Sequence, residues 1–190
     1  MRLRLVLPVT LAAVFALGAC GSSSPPKAQP ATSTPNTGSS VSYIPAGVNP
    51  SVSAKMVCQA EVRRELADTL DVKAKSVSKA TWKDHVYSCT YVFPKGSFVL
   101  SVKELVSDKT TTAYFNAQQQ KLGLKDKLFG LGQGAFVAKN DDVVVRKDWK
   151  VLVVDVTNVP KASGAFIPTM VRSDVATNIA SVIMSCWQGT

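Results

Sequence analysis

The segment Leu17-Gly18-Ala19-Cys20 does most to limit what this chain can fold into. It closes an N-terminal stretch that starts positively at Arg2 and Arg4 and then runs almost without polar interruption from Leu5 to Leu17. A branched apolar residue, two small residues and a cysteine after such a stretch make a bacterial lipobox. In that motif the Cys20 thiol receives a diacylglycerol and Cys20 becomes the new N-terminus. The apolar run, about 13 residues, falls short of the roughly 20 that span a bilayer as a helix. Residues 1–19 are therefore expected to leave as a lipoprotein signal peptide and to contribute nothing to the fold. The remainder is expected on the outer face of the cell membrane, lipid-anchored, where thiols oxidise.

Residues 20–50 read as the lipidated cysteine followed by a disordered tether. Ser, Thr, Pro, Gly and Asn dominate it, and it has too few apolar side chains to offset its ordering entropy. Its Ser and Thr beside Pro25, Pro26, Pro30 and Pro35 are candidates for O-linked sugar. A single domain is left over 51–190, long enough for one hydrophobic core. Arg2 and Arg4 leave with the signal, so the formal +9 of the whole chain becomes +7. That surplus favours the anionic membrane surface or an anionic wall polymer as partner, beside an envelope protein. Nucleic acid is not expected, because an exported lipoprotein does not meet it.

Within the domain, Ser53 is placed to cap a helix running to about Leu70, with Cys58, Val62, Leu66 and Leu70 as its apolar stripe. A short strand is expected around Val77. Val86–Phe93 follows, with Tyr87, Cys89, Tyr91 and Phe93 pointing one way, then a Pro94-Lys95-Gly96 turn and a strand through Phe98, Leu100 and Val102. Asp108 to Leu122 reads as a helix with Asp108 as cap and Gly123 beyond its end. Three strands, Ala135–Ala138, Val143–Lys147 and Val151–Thr157, are separated by turns at Asn140-Asp141-Asp142 and Asp148-Trp149. Pro168 suits the first turn of a last helix, striped by Val171, Val175, Ile179, Val182, Ile183 and Cys186. Hairpin strands interrupted by helices argue for an α+β fold. An antiparallel sheet of about five to six strands packed with about three helices is expected.

Cys20 is committed to lipid, leaving Cys58, Cys89 and Cys186. Three cysteines cannot pair completely. A Cys58–Cys89 disulfide, tying the first helix to the first long strand, is the favoured pairing, with Cys186 buried on the last helix; Cys58–Cys186 is the alternative. No catalytic, metal or cofactor residues emerge. His85 is the only histidine, it lies beside Asp84 in a turn, and no C-x-x-C or G-x-S-x-G spacing occurs. Gly130-Leu131-Gly132-Gln133-Gly134-Ala135 matches a dinucleotide-binding pattern in letters, with Asp155 further on. It precedes a strand instead of joining a strand to a helix, so its glycines read as a tight turn into the sheet.

The order of these features resembles a group of small actinobacterial lipoproteins of unknown function. They share a lipobox, a Ser/Thr/Pro tether, a helix opening with Cys (Cys58-Gln59-Ala60-Glu61-Val62) and a Cys-Thr-Tyr strand (Cys89-Thr90-Tyr91). A Gly-Leu-Gly-x-x-Ala-Phe element (Gly130 to Phe136), paired strands and a final helix complete the pattern, which covers about residues 55–187. Gln133 and Cys186 depart from it. The resemblance implies a compact α+β sandwich similar to the extracellular sensor domain of a mycobacterial Ser/Thr kinase and to the PsbP-like fold, without catalytic residues. The expected function is a non-catalytic binding, adaptor or sensor module at the cell envelope. The alternative is a carrier of lipid or another apolar ligand in a cavity between sheet and helices, lined by Tyr87, Tyr91, Phe93, Phe98 and Phe115.

Overall fold

The computed structural model describes residues 45–161, 166–167 and 170–187. Cys20, the tether up to residue 44 and Pro168 lie outside the described residues. The described chain forms α1 (Val52–Met56), α2 (Ala60–Leu70), β1 (Ser76–Val77), β2 (Thr81–Lys83), β3 (Val86–Phe93), β4 (Gly96–Glu104) and α3 (Asp108–Leu122). It continues with β5 (Leu124–Leu128), β6 (Gly134–Ala138), β7 (Val143–Lys147), β8 (Lys150–Asp155) and α4 (Arg172–Cys186).

The class is α+β, as expected, but the sheet is larger: eight antiparallel strands and four helices among the described residues. The order across the sheet is β1-β3-β4-β8-β7-β6-β5, with β2 also on the outer edge of β3. The two strands absent from the sequence reading are the least apolar. β2 is three residues long, and β5 is Leu-Lys-Asp-Lys-Leu with its central residues in solvent. Both lie at sheet edges, where burial imposes no hydrophobic alternation.

Alternation along the central strands sends side chains to two faces. Tyr91, Phe98, Leu100, Val102, Val143, Val145, Leu152 and Val154 join Val62, Leu66 and Leu70 of α2 and Val175, Ile179 and Ile183 of α4 in the main core. Phe136, Ala138, Val144 and Val151 face the other way and are covered by Tyr114, Phe115 and Leu122 of α3. The sheet is thus sandwiched, with α1, α2 and α4 on one side and α3 on the β6–β8 half of the other.

The expected first helix is two. Ser51, not Ser53, caps α1 by accepting from Ala54 N, and the chain extends again at Gln59 before α2. The break has a local cause: Val57 O accepts the Tyr91 hydroxyl at 2.8 Å, while the next residue is bonded to β3. Cys58 and Cys89 sulfurs are 2.18 Å apart with Cα atoms at 6.0 Å, which is the favoured pairing. Cys186 is buried on α4 and outside that disulfide. In α3 the cap is Ser107, not Asp108. Ser107 and Thr110 exchange side-chain and backbone hydrogen bonds in a capping box, and Asp108 sits in the first turn.

Candidate functional site

Edge strand β5 has an open cleft on each side. On the main-core side, a cleft of about 530 Å³ lies between β5 and the start of α4. Its floor is Leu128, Val137 and Met170, and its rim is Lys125, Asp126, Ser173, Asp174, Thr177 and Asn178. Val137 comes from the inward-facing residues of β6, and the floor is apolar because that face of the sheet runs under α4. Thr177 and Asn178 follow from the helix period, which turns every third or fourth residue of α4 away from the buried Val175–Ile179 stripe. Asn178 Nδ2 lies 3.3 Å from Met170 Sδ, holding the loop before α4 against the groove wall.

The second cleft, about 420 Å³, lies between α3 and the loop from Phe129 to Gly134. Its inner wall is Phe115, which packs edge-on against Phe136 at 5.3 Å. Here the Gly130–Gly134 element acts as a turn from β5 to β6. Gly132 has φ +58°, and a Cβ there would stand 2.4 Å from Arg146 O. Gln133 N donates to the same carbonyl at 2.8 Å. The segment leads directly into β6 and not into a helix, which fits the turn reading of these glycines.

A polar latch built on the buried Arg172 fixes the far end of the first cleft. Arg172, the first residue of α4, donates to Asp141 Oδ2 through Nε (3.1 Å) and Nη2 (2.9 Å), and to Asn140 O at 2.8 Å. Lys125 of β5 reaches Asp141 Oδ1 at 2.7 Å. Burial pushes the Asp141 carboxyl up, but the hydrogen bonds and charges of Lys125 and Arg172 outweigh it and hold the group below its ordinary value. Its neighbour Asp142 is raised by burial, although it accepts from Val156 N at 2.9 Å and Asn140 Nδ2 at 2.6 Å. Every named partner fits a latch joining the β6–β7 turn, β5 and α4.

The residues singled out from sequence fall in different places. His85 is exposed in the β2–β3 turn with φ +56° and packs edge-on to Trp82 at 5.6 Å. Tyr91 and Phe98 are stacked at 5.0 Å in the main core, with Phe93 at 5.3 Å from Phe98; burial pushes the Tyr91 hydroxyl up to about 12. Tyr87 packs at the margin of the same core. Phe115 lies on the opposite side of the sheet, so these five aromatics do not share a cavity. Among the described residues no group of three or more His, Cys, Asp or Glu is placed to hold a metal ion. No described helix is long and apolar enough to cross a membrane. The latch and both clefts escaped the sequence reading. Asp141-Asp142 reads there only as a turn, and Arg172 only as one of many basic residues.

Comparison of the chain with protein-family models, with curated proteins and with solved structures finds no match.

Proposed function

We propose that the chain is a lipid-anchored extracytoplasmic module of the actinobacterial lipoprotein type. In this reading it is non-catalytic and binds a segment of another envelope protein as an adaptor or sensor. The observation that carries the reading is the groove between β5 and α4: an apolar floor of Leu128, Val137 and Met170 under a rim of hydrogen-bonding and charged groups. Apolar floors with a few polar groups at the rim suit short segments that bury alternate side chains while their backbone stays hydrogen-bonded. The rim carries Lys125 together with Asp126 and Asp174, a mixed charge that favours a polypeptide over a uniformly anionic wall polymer. The exposed edge of β5 runs beside the groove and offers backbone groups to the same segment.

The test is site-specific photo-crosslinking in native membranes. A photoreactive residue at Asp174 should give one discrete adduct, which Thr177→Trp in the same chain abolishes by filling the groove. The same probe at Gln119, in the other cleft, should not give it. An adduct that persists with Thr177→Trp sinks the groove reading.

A further inference from the structure

The described chain enters the domain at one end of the sheet, and that end is chemically unlike the other. Ala46 N donates to Leu105 O at 3.0 Å, and Leu105 N donates to Trp149 O at 2.9 Å. The Trp82 indole donates to Val48 O at 2.7 Å, and Ser51 N donates to the buried Glu104 carboxylate at 3.1 Å. Residues 45–51, of which the sequence assigns 45–50 to a free tether, are thus fastened to β2 and to the end of β4. Strand register puts further features at this same end. Gly134 pairs with Arg146, Arg146 with Val151, and Val151 with Lys103, so the Phe129–Gln133 loop, the Asp148-Trp149 turn and Val106 all project from it.

The exposed apolar side chains sort by end. Val48 (90% exposed), Phe129 (89%), Val52 (69%) and Val106 (58%) are all at the chain-entry end. Val92, Leu124 and Val171, at 37–42%, lie towards the other. Exposed Lys83, Lys109 and Lys127 stand around the first group, with exposed Asp84 among them and Asp108 paired to Arg146 at 2.6 Å. Isolated exposed apolar residues need no explanation, but four of the most exposed gathered at one end do.

We infer that this end of the domain rests in the headgroup layer of the membrane, with Phe129, Val106, Val48 and Val52 as its apolar footing and Lys83, Lys109 and Lys127 against anionic lipid. The occupant is chosen by the chain itself. The inference rests on the lipid-anchor reading, and residues 21–44 then run from the lipid to this end. A coil of that many residues has a root-mean-square reach of about 27 Å, enough for contact without stretching. An aromatic tip beside lysines is the side-chain combination that settles at the boundary of headgroups and acyl chains. The groove between β5 and α4 would then open sideways, parallel to the membrane.

The mature acylated chain should be reconstituted in phosphatidylcholine–phosphatidylglycerol vesicles, with and without brominated acyl chains, as Phe129→Trp and as Val92→Trp. Val92 is the reference because it faces solvent at the opposite end. The emission added at position 129 should fall about two-fold with brominated lipid, as expected for insertion about 5–10 Å into the boundary, and that added at 92 should not. Equal response at both positions, or none at 129, overturns the inference. Shielding of 129 from aqueous iodide without quenching by brominated lipid overturns it in favour of a protein partner or a second copy. A chain whose Cys20 is unmodified by mass and which does not float with the vesicles removes the anchor reading, and the inference with it.

Discussion

Phe98 is fully buried between Tyr91 and Phe93, its ring 5.0 Å from that of Tyr91 and 5.3 Å from that of Phe93. Truncation there cannot be relieved by a flexible neighbour, since the stack is closed by Phe166 edge-on to Phe93 at 5.0 Å. Phe98→Ala should lower stability by about 3–5 kcal/mol in urea unfolding. Two glycines of one loop make a second contrast. Gly132→Ala meets Arg146 O and a left-handed φ, whereas Gly130, at φ +77°, has nothing near its missing Cβ. Gly130→Ala should cost about 1–2 kcal/mol from the backbone alone, and Gly132→Ala more, measured in the same unfolding series. At this scale the sequence was readable where a side chain has one common fate. Alternation in Val86–Phe93 told which residues are core. It could not tell that Tyr91 also spends its hydroxyl on Val57 O, because that bond joins residues far apart in sequence.

Among the elements, α1, α2 and β3 are tied by the Cys58–Cys89 bond, which closes a sequence separation of 31 residues. On the chain-entropy account its removal by Cys58→Ser with Cys89→Ser should cost about 3–4 kcal/mol, read as a lower urea midpoint. The latch at the start of α4 gives a pH test. The Asp141 carboxyl is lowered from 3.8, so its contribution is present above the ordinary value and is lost as pH falls through the lowered one. Asp142 is raised from 3.8, so its contribution is present below the ordinary value and is lost as pH rises through the raised one. Asp141→Asn should therefore flatten the loss of stability on acidification below about pH 4, and Asp142→Asn should flatten a loss on going up from it. Stability profiles with unchanged slopes in both variants would show that the latch does not titrate as drawn. The helices α3 and α4 were legible because one face of each is apolar or capped. β5 was not, since an edge strand of Lys-Asp-Lys carries the composition of a loop and is a strand only because β6 offers it a ladder.

For the molecule as a whole, the lipid-anchor reading makes Cys20 decide where the domain works. Cys20→Ala should lose the acyl group and normal cleavage and move from the detergent to the aqueous phase on phase separation. Equal partition of variant and parent chain with an intact residue-1 start would remove the lipoprotein reading. The sheet itself joins two antiparallel blocks, β1–β4 and β5–β8, along one seam where Val99 to Glu104 pair with Asp155 to Lys150. On the lipoprotein reading, in which the chain emerges through a membrane from its N-terminus, that seam imposes a timetable. When β4 has come out, its inner edge, Phe98-Val99-Leu100 included, has no neighbour until β8, the last of the described strands, arrives. For that interval the nascent chain displays an apolar, ladder-ready edge of the kind that captures other nascent chains. If the chain is exported in this way, slower export should lengthen that interval and lower the yield of finished domain.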